Sequence, residues 1–127
     1  QCDNAAAVAS MLKSSDLVAG VLYPGLESHD THEAAKELTG GKGYGAMIAF
    51  DLAGASPEAK RKNRDRFIAA VYPEIRLIPT LGDNHTILMP VEAVWGTKYP
   101  EPGMIRLSVG YEKTDRLAEI IGRGLKG

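Results

Sequence analysis

The sequence predicts an α+β domain in which a small, mostly antiparallel sheet carries helices packed on one face. Three observations predict it. Short apolar runs closed by proline or glycine alternate with longer segments of helical spacing. The runs are few and the turns between them tight, which points to a small, mostly antiparallel sheet. Near the end of the chain Leu117, Ile120, Ile121 and Leu125 stand at i, i+3, i+4 and i+8, the stripe of a helix with one face to cover.

Each element has its own signal. Ala5, Ala6, Ala7, Val8, Ala9, Met11 and Leu12 read as a helix already under way at the first residues. Such an alanine-rich helix is marginal alone and needs a surface to dock on. Because the chain opens on Gln1 rather than methionine, we expect a piece of a longer polypeptide. Leu17 to Tyr23 reads as a strand stopped by the turn dipeptide Pro24-Gly25. Asp30 and Glu33 have capping-box spacing, with Ala34, Ala35 and Leu38 as the apolar stripe of a helix that ends at Gly40 and Gly41. The unbroken run from Ala46 to Phe50 suggests a central strand through Leu52. Ser56 then caps a third helix with Pro57 at its first position, and Ala59, Phe67, Ile68 and Val71 mark its inward side. Ile75 to Ile78 and Thr86 to Met89 read as short strands, each closed by a proline. Pro90 to Gly103, with three prolines and two glycines, reads as an ordered loop. The last helix starts near Thr114.

Composition narrows the function. The 127 residues suffice for one domain with its own core, and 44% hydrophobic with 24% charged residues is a globular balance. A net charge of -1 sets up no field toward nucleic acid or a membrane surface. Cys2 is the single cysteine and has no internal partner, so a reducing cytoplasm is expected. No apolar run approaches the about 20 residues that span a bilayer.

Several motifs carry weak chemistry. Gly41, Gly43 and Ala46 satisfy G-x-G-x-x-A, but the pattern follows a helix and opens a strand, the reverse of a dinucleotide loop, so it reads as a connector. His29 and His32 lack an evident third metal ligand, and Asp83 with His85 forms a separate loop pair. Lys60 to Arg66 is basic without interleaved aromatics, which reads as a solvated face or a subunit contact. No serine or cysteine stands in an activating setting, and no catalytic, metal-binding or cofactor-binding residue is assigned.

The informative segment is Gly103 to Glu112, GMIRLSVGYE. In a strand Met104, Arg106 and Ser108 share one face while Ile105, Leu107 and Val109 share the other. Arg106 thus stands on a mostly uncharged surface, where a guanidinium that cannot lose its charge asks for a partner. Water, a nearby Glu, or the carboxylate or phosphate of a ligand would each serve.

Four segments in order resemble the Cys/Met-metabolism family of pyridoxal-phosphate (PLP) enzymes, in its C-terminal domain. Tyr23-Pro24-Gly25-Leu26-Glu27-Ser28-His29, followed by His32 and Ala35, is similar to YPGLxSHxxHxxA. Gly45 to Phe50 resembles GGMLSF, Thr80-Leu81-Gly82 resembles Ser-Leu-Gly, and Ile105 to Gly110 with Glu112 matches IRLSVGxE. The resemblance implies that Arg106 grips the substrate's α-carboxylate and that Thr80 and Leu81 line the same pocket. It implies residues 1–16 as the end of an interdomain helix and 17–127 as the C-terminal domain. The PLP lysine and phosphate cup would belong to an N-terminal domain not contained in this chain. It further implies an amino-acid substrate, elimination or replacement at Cβ or Cγ, and a homotetramer. Where many members carry His-Pro-Ala-x-Met-Thr-His, this chain reads Met89 to Thr97, MPVEAVWGT, which leaves the substrate open. The alternatives are a stand-alone amino-acid-binding regulatory module using the same arginine, and an interaction domain using the basic helix.

Overall fold

The computed structural model describes residues 1–80, 83–96 and 101–127. Its elements are α1 (Cys2–Lys13), β1 (Val18–Leu22), α2 (His32–Thr39), β2 (Met47–Leu52), α3 (Pro57–Val71), β3 (Arg76–Leu77), β4 (Ile87–Pro90), α4 (Val91–Trp95), β5 (Met104–Ser108) and α5 (Thr114–Lys126). The strands form one sheet in the order β1-β2-β5-β4-β3. All neighbouring pairs are antiparallel except β3 with β4. This is the α+β architecture expected, with β5 at the centre. None of the described helices is long and apolar enough to cross a membrane.

Register divides the sheet into two faces. Ile48 and Leu88 lie opposite Leu107, and Phe50 lies opposite Ile105, so these side chains share the face on which the core is built. Ala5, Val8, Ala9 and Leu12 of α1, Phe67 and Val71 of α3, and Leu117, Ile120, Ile121 and Leu125 of α5 bury themselves in the same cluster. Burial of this apolar area is the main stabilising term. Phe50 meets Phe67 edge to face at 5.4 Å between ring centres. Ser56 caps α3 as expected, its Oγ accepting from the Ala59 N–H at 3.1 Å.

Two local expectations need correction. The stretch from Pro90 to Gly103 contains α4, which starts directly after Pro90 and stops at Gly96 with φ 84°. One turn and a half is too short to display a helical period. In α2, Thr31 rather than Asp30 holds the N-cap position, with no side-chain capping bond, and Leu38 is 88% exposed. The helix is instead anchored by its first residue. His32 Nδ1–H donates to the Pro24 carbonyl at 2.8 Å, and the ring stacks on Tyr44. Beside it the buried Tyr23 hydroxyl donates to the Gly45 carbonyl, and a Cβ on Gly25 would lie 2.3 Å from the Tyr23 ring. The Tyr-Pro-Gly…His pattern is therefore a packing lock.

The exit of β5 is equally tight. A Cβ on Gly110 would fall 2.3 Å from the Asn84 carbonyl oxygen and 2.7 Å from the Thr86 nitrogen, both backbone atoms. Gly110→Ala should cost about 2 kcal/mol or more, because the chain rather than a rotamer must move. Gly122→Ala, in an α5 position with nothing within 4 Å of the added carbon, should stabilise by up to about 1 kcal/mol. Urea unfolding of both variants checks the pair. Burial also pushes the Tyr23 phenol up to about 12. The unfolded chain loses that proton near pH 10. The folded chain keeps it longer, so the phenol's contribution is intact below about pH 10 and lost as pH rises toward 12. Tyr23→Phe should flatten the alkaline fall in stability over that window, as seen in unfolding midpoints from pH 9 to 12.

Candidate functional site

Arg106 sits in the middle of the central strand, on the face opposite the core. Its cross-strand neighbours are Ala49 on β2 and Met89 on β4. Met89 is 1% exposed, Ala49 and Arg106 are half-buried, and Leu22, opposite Ala49, is 53% exposed. The arginine thus stands where the covered part of this face gives way to the open part. A register slip would turn its side chain into the core, and pairing on both sides of β5 forbids one.

The connection between β3 and β4 reaches the guanidinium. These two strands are parallel, so they are not joined as a hairpin. Just after β3 the Pro79 and Thr80 carbonyls each accept a hydrogen bond from Arg106 Nη2 at 3.0 Å. Both Nη2 hydrogens are thereby used, while Nη1 and Nε have no partner among the described residues. No carboxylate among the described residues lies within ion-pair distance of Arg106. The carbonyls orient the group without neutralising it. What results is a fixed, half-buried cation on a largely apolar face, an arrangement suited to receiving a carboxylate.

Structure thus brings Arg106 and Thr80 together, through the Thr80 backbone. Leu81 lies outside the described residues, as do Gly82 and residues 97–100. His29 Nδ1 accepts from the Thr31 N–H, and His32 is held as above. Asp83 and His85 pair with each other in an exposed turn, where the His85 N–H donates to Asp83 Oδ1 and lowers the Asp83 pKa. Among the described residues no three His, Cys, Asp or Glu side chains are grouped to hold a metal. Gly41, Gly43 and Ala46 lie between α2 and β2, in the connector expected.

The basic run is not a uniformly solvated face. Lys60 Nζ bonds the buried Asp51 at 2.7 Å, and Arg61 grips Glu92 of α4 with Nε and Nη2. Arg64 is buried, donating to the Pro102 carbonyl and to Asp65. These cations are spent inside the domain, tying α3 to β2, to α4 and to the segment before β5.

Sequence reasoning missed a polar junction at the end of β5. Glu112 takes the Thr86 N–H at 2.5 Å on one oxygen and the Thr86 hydroxyl at 2.7 Å on the other. Gly110 N–H donates to Thr86 Oγ1, and Tyr111 N–H to the Asn84 carbonyl. From α1 the buried Asn4 donates to the carbonyls of Gly110 and Glu112. The only trace of this in the sequence is the match of Gly110 and Glu112 to the IRLSVGxE pattern.

Comparison with known proteins gives the family. Residues 1–126 match the family described as Cys/Met metabolism PLP-dependent enzyme. The chain is similar to canavanine gamma-lyase from Pseudomonas canavaninivorans, 36% identical over 132 residues that cover 96% of this chain and 31% of that protein. It is similar to cystathionine gamma-lyase from Mus musculus, 34% identical over 129 residues, 97% of this chain and 31% of that one. Among solved structures it superposes on O-acetylhomoserine sulfhydrylase of Wolinella succinogenes with a TM-score of 0.84 at 28% identity, covering 98% of this chain and 33% of the other. The chain therefore spans about a third of the length of the curated relatives it matches. Matched along nearly its whole length, in sequence and in fold, it belongs to the Cys/Met metabolism family of PLP-dependent enzymes.

Proposed function

We propose that the chain is the C-terminal, substrate-carboxylate-binding domain of a PLP-dependent enzyme that eliminates or replaces a group at Cβ or Cγ of an amino acid. The observation that supports this reading is Arg106, a cation aimed by two backbone carbonyls and left without an acid among the described residues. Arg106 binds the α-carboxylate, with Thr80 and Leu81 lining the same pocket. The relatives named above are gamma-lyases of canavanine and cystathionine, which supports a γ-substituted amino acid as the substrate.

The residues present fit the substrate end of a PLP site rather than its cofactor end. Lys60 is paired with Asp51 and Lys13 with Ser28, and Lys36, Lys42, Lys62, Lys113 and Lys126 are exposed on helices and loops. The Schiff-base lysine and phosphate cup are assigned to the part of the relatives' length that this chain does not cover. When bound, PLP withdraws electrons from the α-carbon, so that its proton and then the β or γ substituent can leave. This chain's part is to fix the amino acid's orientation by its acid end, and such positioning is a large share of catalysis. A homotetramer in the cytoplasm is part of the same proposal.

The test uses the full-length PLP-loaded polypeptide with L-canavanine, L-cystathionine and O-acetyl-L-homoserine as probes. At least one should be consumed, and the corresponding amino-acid amide should react poorly. Losing a charged hydrogen bond costs about 1.5–3 kcal/mol, so Arg106→Ala should raise KM by about 10- to 150-fold and erase the preference for acid over amide. Arg106→Lys should recover only part, since an ammonium cannot hold two carbonyls and present separate planar donors. Unchanged KM in both variants rejects the assignment.

A further inference from the structure

We infer that Glu112 is a positioning residue for Arg106, acting through Thr86 on the connection that aims the guanidinium. The inference rests on the carboxylate reading above and adds the device that makes the aim reproducible. Arg106 is held by carbonyls at 79 and 80, and a backbone carbonyl is only as fixed as the segment that bears it. That segment is pinned at both ends. Ile78 N–H donates to the Leu88 carbonyl at 3.0 Å on the β3 side. On the β4 side both oxygens of Glu112 are committed to Thr86, whose hydroxyl in turn accepts from Gly110 N–H at 2.9 Å.

Three features mark this as more than a surface contact. Thr86 is 1% exposed and Gly110 is buried, so the bonds are shielded from competing water. A charged acceptor meets two donors of one residue, which fixes orientation as well as distance. Gly110 lies just past the end of β5, four residues after Arg106, so the junction ties the strand that carries the guanidinium to the segment that carries its two acceptors. Asn4 brings α1 into the same junction, accepting from Thr114 Oγ1 at 2.5 Å while donating to the carbonyls of Gly110 and Glu112. Removing the Glu112 carboxylate frees Thr86, just before β4, while Ile87 stays paired with Arg76 and Ser108, and it loosens the hold on the Pro79 and Thr80 carbonyls relative to Nη2. A wandering guanidinium still carries its charge but meets the carboxylate in fewer productive geometries.

The experiment again uses the full-length PLP-loaded enzyme, with whichever of L-canavanine, L-cystathionine and O-acetyl-L-homoserine it consumes. Glu112→Ala should raise KM about tenfold or more with kcat held within about threefold, and Glu112→Gln, which keeps an acceptor for the Thr86 N–H, should restore most of the loss. Asn63→Ala serves as the control, since its side chain bonds the Ala53 carbonyl and touches none of these residues. It should lower the melting temperature without moving KM. Thr86→Val carries the test if Glu112→Ala does not fold, with the same expected KM shift. An unchanged KM in the folded Glu112 or Thr86 variants, or an equal KM rise in Asn63→Ala, overturns the inference. If Arg106→Ala itself leaves KM unchanged, the carboxylate reading falls and this inference with it; a normal Arg106→Ala penalty beside unaltered Glu112 and Thr86 variants overturns the positioning role alone.

Discussion

A guanidinium held by neutral carbonyls keeps its full charge, and much of this domain can be understood as the framework that maintains that condition. Had Arg106 met a carboxylate of its own chain, the pair would be self-contained and the face inert. Backbone carbonyls instead satisfy the hydrogens of one nitrogen and leave the electrostatic demand in place. The cost of half-burying such a charge is tolerable because the end of the side chain still reaches water.

The sheet order supplies the rigidity that this demands. β5 has an antiparallel neighbour on each side, β2 and β4, so its alternation is set by two independent registers. Ile105 and Leu107 go to the core that α1, α3 and α5 cover, and Arg106 necessarily goes the other way. One face thus stabilises the domain while the other is free to present chemistry. Just after β3, which pairs with β4 in parallel, the Pro79 and Thr80 carbonyls reach a side chain in mid-sheet.

What the sequence disclosed follows the reach of each signal. Alternation in β5, the stripe of α5 and the Ser56-Pro57 start of α3 are local patterns, and each appears in the structure where it was read. The position of Arg106 on the face away from the core was legible for the same reason. Its holders were not, since a carbonyl belongs to every residue and leaves no mark of its role. Nor was the link from Glu112 back to Thr86, which spans 26 positions without periodicity. Arg64 misled because a charged residue in a basic run looks solvated, whereas its head reaches the Pro102 carbonyl and Glu92 lies 3.5 Å from it. Sequence resemblance reaches further than pattern, because the family motifs contain Thr80, Arg106 and Glu112, residues far apart in the chain, and the structure joins Arg106 to the Thr80 carbonyl and Glu112 to Thr86.

The same internal use of charge bears on the rival readings. A helix that docks an acidic partner needs cations free to leave their present contacts at little cost. Lys60 is the counter-ion of a buried aspartate, so withdrawing it would leave that charge unpaired, and Arg61 and Arg64 both face Glu92 of α4, so withdrawing either would weaken the tie between α3 and α4. Arg106 differs in kind, because a carboxylate arriving there would add a counter-ion where none is present among the described residues. An incoming acid therefore strengthens the arrangement at Arg106 and would have to dismantle it along α3, and this asymmetry is the physical reason for reading the sheet face, rather than the basic helix, as the working surface.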